Sequence, residues 1–147
     1  MGRFRPFVPA VAYVLLDTLL LGFGMGVPIL NIMLGFGVGW WVTKRALAAD
    51  LPTTIRRSWR TAWISSAYTL LMLAVIWVPW LPTVFGPEAG LAKTGVPLIL
   101  YEPRASFIGW LVLMVVISPL LQVLTTLASS FAVIVSNARR HSRPEPE

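Results

Sequence analysis

Asp17 is where chemistry could begin in this chain. It sits in "AYVLLDTLLLGFG" and is the one acid inside a predicted span. A carboxyl in hydrocarbon is costly when ionised, so it must be protonated, hydrogen-bonded or turned toward a hydrated cavity. Asp17 lies seven residues before Gly24 and Asn31 seven after it. If the chain reverses at Gly24, the two side chains reach a similar depth, about 10 Å from the turn. Asp17 then serves either as a hydrogen-bonded clasp to Asn31 or as a proton or cation site. No second charge inside the spans supports a relay, so the clasp is the expectation.

A second polar set lies further along. Ser118, Gln122, Thr125 and Ser129 follow spacings of four, three and four, which places them along one helix face, and Ser65 and Thr69 share a face of another helix. Running antiparallel, the two stripes overlap in depth. Small hydroxyl residues of this kind join helices in membranes, each hydrogen bond contributing about 0.6 kcal/mol on average. The competing reading is a polar route toward the cytoplasm.

Two glycine triplets, "LGFGMG" at Leu21 to Gly26 and "LGFGVG" at Leu34 to Gly39, invite a phosphate-binding reading. Such a loop needs glycines between a strand and a helix, and a Walker motif needs a lysine after them; neither context is present. Gly22, Gly24 and Gly26 fall where the hairpin must turn and glycine tolerates positive φ. Gly35 and Gly39, four residues apart, form a face that another helix can approach closely.

Conventional catalytic groups are scarce. There is no cysteine, the single histidine is His141 in the charged tail, and no paired carboxylates or metal-ligand cluster stand out. The reading assigns no catalytic, cofactor or metal residues, and enzymatic activity is not expected.

The elements that must hold these side chains follow from composition. Of 147 residues, 56% are hydrophobic and 12% charged, and the mean hydropathy is +0.75. That composition points to an all-α integral membrane protein, because lipid leaves no water to satisfy an open sheet edge. Four segments are apolar and helical in length: 7–23, 27–43, 61–80 and 107–136. They predict four transmembrane helices in two antiparallel hairpins, with connections at 44–60 and 81–106 and a tail at 137–147. Asp50 is placed to cap a helix that begins near Pro52 and runs into the third span. The run from Phe107 to Val135 would extend about 43 Å as a straight helix, longer than hydrocarbon is thick, and Pro119 interrupts it. A long fourth helix kinked near Pro119 is expected; the alternative is an interfacial helix leading into a shorter span. The N-terminal run, which contains Asp17 and leads directly into a second apolar segment, is expected to be retained as a span and not cleaved as a signal peptide.

The formal charge of +6 reflects basic residues that flank apolar segments, so it sets topology and does not indicate nucleic acid. Arg3 and Arg5, the group Lys44, Arg45, Arg56, Arg57 and Arg60, and Arg139, Arg140 and Arg143 all fall on one side of a four-span arrangement. The other side has Lys93 and Arg104, offset by Glu88 and Glu102. Both termini are therefore expected in the cytoplasm of a prokaryotic cell, with the protein in its plasma membrane. The lipid bilayer is the expected partner, together with a second copy or a membrane partner subunit. The functional expectation is a structural or accessory subunit; the alternative is a small oligomeric transporter or channel component that uses Asp17 and the polar stripes.

Overall fold

The computed structural model describes residues 7–24, 28–47, 50–86 and 101–141, and among these there is no strand. Helix α1 spans Phe7–Gly24, α2 Pro28–Ala46 and α3 Leu51–Trp77. A 3₁₀ segment, Val78–Phe85, continues α3. Helix α4, Pro103–Leu111, leads through a π-helical segment, Val112–Ile117, into α5, Ser118–His141. Two continuous helical stretches, Leu51–Phe85 and Pro103–Arg140, are long and apolar enough to cross a membrane.

The start of α3 is the local structure most directly set by sequence. Asp50 is extended (φ −63°, ψ 155°) and its Oδ2 accepts from the Thr53 amide at 3.2 Å, with Pro52 in the first turn. That arrangement fills an otherwise orphaned donor, and a proline there loses no helical hydrogen bond. The helix runs on from this cap through the third apolar segment as one piece.

Proline also acts in the last stretch, one turn earlier than the sequence suggests. Pro119 lacks an N–H, and its ring crowds the carbonyl four residues back. The chain responds with a widened turn over Val112–Ile117, where the Ser118 amide bonds to the Leu113 carbonyl five residues before it. The expected irregularity is a π-helical segment preceding Pro119, with helix on both sides.

Sequential hairpins are not the main packing units. The closest helix pair is α2 with α5, and α3 lies against both. Asn31 bonds to Ser118, Phe36 to Ser129 and Gly39 to Ser130, so residue numbers rise together and the two helices run parallel. Helices α1 and α3 are parallel as well, because Tyr13 reaches Ser65 and Asp17 reaches Thr69. Gly35 and Gly39 explain the first pair. A Cβ on Gly35 would overlap the Thr125 hydroxyl and come within 2.6 Å of the Gln122 carbonyl oxygen. One on Gly39 would overlap the Thr126 carbonyl. Only glycine permits backbones this close.

Burial is inverted relative to a water-soluble bundle. Buried polar side chains include Thr43, Thr54, Ser58, Ser66 and Thr126, whereas Leu15, Ile29, Met33, Phe36, Leu71, Val75 and Leu124 are among the many exposed apolar ones. An apolar cluster does form around Leu21, Leu73, Trp77, Phe107 and Met114, with the Trp77 and Phe107 rings edge-to-face at 6.2 Å. It closes the end of the molecule where α1 and α3 finish. At the opposite end Lys44 lies 4.2 Å from the Trp40 ring centroid and Arg45 4.2 Å from that of Trp41.

Candidate functional site

Between those ends lies a polar centre to which four helices contribute. From α1, Tyr13 and Asp17 are one turn apart and face α3. Asp17 Oδ2 accepts from the Thr69 hydroxyl at 2.9 Å and from the Tyr13 hydroxyl at 3.4 Å. The Tyr13 hydroxyl also lies 3.0 Å from the Ser65 carbonyl oxygen and 3.3 Å from Thr69 Oγ1, and it accepts from Gln122 Nε2 at 3.0 Å. Helix α2 adds Asn31, whose Nδ2 donates to Ser118 Oγ at 2.6 Å. Asp17, Asn31, Thr69, Ser118 and Gln122 are each 0% exposed.

The expected clasp between Asp17 and Asn31 is therefore corrected. Asp17 is held by α3 and Asn31 by α5. The glycine face seats α2 on α5, so Asn31 meets Ser118, while α1 packs mainly on α3. Equal distance from a turn fixes depth but leaves open which neighbour a side chain faces.

The two stripes do come together. Tyr13 joins Ser65 and Thr69 on α3 to Gln122 on α5, and Ser66 donates to the Pro119 carbonyl at 2.8 Å. Ser129 donates to the Phe36 carbonyl at 2.7 Å. Thr125 is half-buried and returns its hydroxyl to the Leu121 and Gln122 carbonyls, whereas the neighbouring Thr126 is fully buried. Gly22 and Gly24 are helical within the end of α1, and Gly26 lies outside the described residues.

Several members of the centre and its surroundings escaped the sequence reading. Tyr13 precedes Asp17 by four residues, a signal that was available. Ser66 and Ser130 adjoin Ser65 and Ser129 in the two stripes, and the helical pitch decides between such neighbours only once the crossing geometry is known. The pair Thr43 and Ser58, 3.1 Å apart, joins α2 to α3 near their connection.

Most hydroxyls here are already satisfied, many by a carbonyl one turn back on their own helix: Thr125 to Leu121, Thr126 to Gln122, Ser130 to Thr126. Two surface depressions lie away from the centre, one lined by Pro52, Thr53, Arg56, Arg57 and Arg60 and another by residues between Phe131 and Arg140. Three buried acceptors nonetheless have no hydrogen-bond partner: Asp17 Oδ1, Asn31 Oδ1 and Gln122 Oε1. Comparison with protein families, curated proteins and solved structures finds no match.

Among the described residues no group of three or more His, Cys, Asp or Glu side chains could hold a metal ion. Among the described residues, the one carboxyl group in the centre is that of Asp17. The hydroxyls of Thr69 and Tyr13 bond to it.

Proposed function

We propose that this is an integral membrane protein with four transmembrane helices and both termini in the cytoplasm of a prokaryotic cell, acting as a structural or accessory subunit of its plasma membrane. The observation that carries the reading is the inverted burial: Asp17, Asn31, Thr69 and Gln122 point inward while Leu15, Met33, Leu71 and Leu124 face outward. In water that arrangement would expose a large apolar surface without return. In lipid it satisfies both faces, because hydroxyls and amides join helices and apolar side chains meet acyl chains.

The basic residues support the orientation. Arg56, Arg57 and Arg60 lie at the start of α3, and Lys44 and Arg45 at the end of α2, where Trp40, Trp41 and Trp59 supply an aromatic belt. The back-bonded hydroxyls support the subunit role, since they offer a migrating solute few free partners. Reporters fused after Arg60 and after Arg143 are expected to read cytoplasmic, and one at Gly90 external; a cytoplasmic reading at Gly90 overturns the four-span topology.

A second reading, a small oligomeric transporter or channel component, is favoured by the unpartnered oxygens around Asp17. Reconstituted protein that carries sodium or proton flux above empty vesicles, and loses it in Asp17→Asn, would replace the subunit reading. Absence of flux with a defined oligomer or a co-purifying membrane protein supports the subunit.

A further inference from the structure

Asp17 Oδ1, Asn31 Oδ1 and Gln122 Oε1 have one chemical feature in common. Each is an acceptor, each is buried, and none has a donor. An orphaned buried acceptor bears the full desolvation cost of its lone pairs, and an ionised carboxylate bears much more. One unsatisfied atom can be a local flaw; three from α1, α2 and α5 are a pattern.

Their nitrogen and oxygen partners tie them together. The Tyr13 hydroxyl touches both Asp17 Oδ2 and Gln122 Nε2, so these two side chains meet at one atom. Asn31 is held by Ser118, one helical turn before Gln122 on the same face of α5. These bonds use the nitrogen ends of both amides, and Asn31 Oδ1 and Gln122 Oε1 have no donor.

We propose that these three oxygens form a binding site for one small monovalent cation, sodium in kind. Hard cations take oxygen ligands, and carboxylate, amide carbonyl and water oxygens suit them. A single charge matches a single carboxylate. A divalent ion would leave an uncompensated positive charge in a low-dielectric interior. Among the described residues no basic side chain bonds to Asp17: its partners are Tyr13 on its own helix and Thr69 on α3, with Ser65 on α3 and Gln122 on α5 around the Tyr13 hydroxyl, all uncharged when Tyr13 keeps its proton. Water completes the coordination shell. The site goes beyond the subunit reading and does not depend on it, because a bound ion can lock four helices together without being transported.

The test uses the full chain in lipid nanodiscs. Thermal midpoints are measured in sodium, potassium and choline chloride at equal ionic strength, alongside binding of radiolabelled sodium. Sodium is expected to raise the midpoint over choline in a saturable way, with one ion bound per chain. Asp17→Asn is expected to abolish the sodium response. Gln122→Ala and Asn31→Ala each weaken sodium affinity roughly tenfold or more, as expected for loss of a buried partner to a charge. Their choline midpoints show separately that each variant folds. Identical midpoints in all three salts, or an unchanged sodium response in Asp17→Asn, overturn the site. So does an infrared carboxylic-acid band from Asp17 that persists in saturating sodium, which would make the missing partner a proton. Loss of topology with retained sodium binding would sink the four-span reading alone.

Discussion

Asp17 accepts a 2.9 Å hydrogen bond from Thr69, and the two residues are 52 apart in sequence. The same offset relates Tyr13 to Ser65, whose carbonyl lies 3.0 Å from the tyrosine hydroxyl. A constant offset along two helices means that they run parallel in fixed register. Asp17 thus locks α1 onto α3 at a defined height, with Leu21 and Leu73, again 52 apart, in the apolar cluster one turn further on.

Thr69→Val keeps the shape and removes the hydroxyl, leaving Asp17 Oδ2 with the longer bond from Tyr13. The expected loss is on the order of 1 kcal/mol. Asp17→Asn retains an acceptor for Thr69 and should cost less, whereas Asp17→Leu should cost at least as much as Thr69→Val. Reversible unfolding in mixed micelles gives the order, and Thr69→Val as stable as the parent would remove the lock.

Asn31 and Ser118 form the corresponding lock between α2 and α5 at 2.6 Å. A double-mutant cycle with Asn31→Ala and Ser118→Ala is expected to show coupling of roughly 0.6–1.7 kcal/mol, the span found for such pairs in membranes. Asn31→Ala and Thr43→Ala, three turns apart on α2, should be additive within about 0.5 kcal/mol. Equal coupling in both cycles would mean that the effect is not the hydrogen bond.

Asp50 makes the start of α3 sensitive to pH. Hydrogen bonds from the Thr53 side chain and then from its amide hold the Asp50 carboxyl below its ordinary range. A depressed folded-state pKa stabilises the helix start above the unfolded pKa, and that contribution is lost as pH falls through the folded one. Acidification into the carboxylate range should therefore loosen the first turn of α3, read as lower amide protection factors at Thr53 and Thr54 after the intrinsic pH dependence of exchange is divided out. Asp50→Asn keeps a capping oxygen without the charge and should flatten this dependence. An unchanged acid response in that variant would assign it to another group.

The parts of this architecture that rest on local rules were legible in the sequence. The Asp50 cap, the helical segments, the glycine face and the Ser118 to Ser129 stripe all depend on spacing along one helix. What was not legible depends on how helices cross. The partner of Asp17 is set by the seating of α2 on α5, and that seating is a long-range consequence of Gly35 and Gly39. Thr126 in place of Thr125, and the π segment before Pro119 in place of a kink at it, differ from expectation by a residue or a turn. Shifts of that size are decided by side-chain packing, which periodicity does not encode.

The glycine triplet in α2 offers its own internal control. Gly35, Gly37 and Gly39 lie within about 6 Å of one another along one helix, yet only two of them face α5. A Cβ on Gly35 would come within 2.6 Å of the Gln122 carbonyl oxygen and 3.2 Å of its Cα; one on Gly39 would come within 2.9 Å of the Thr126 carbonyl carbon and 3.1 Å of Ser129 Oγ. These neighbours are mostly backbone, so the helices themselves must separate to admit a methyl group. A Cβ on Gly37 meets nothing within 4 Å. Gly35→Ala and Gly39→Ala are each expected to destabilise by about 1–3 kcal/mol through overpacking. Parting the helices would also stretch the Asn31–Ser118 and Ser129–Phe36 bonds. Gly37→Ala should be neutral or stabilising by up to about 1 kcal/mol, since alanine is the better helix former. Denaturation of the three variants in the same lipid mixture decides the matter, and a Gly37→Ala loss equal to the other two would mean that the triplet contributes through helix flexibility and not through contact with α5.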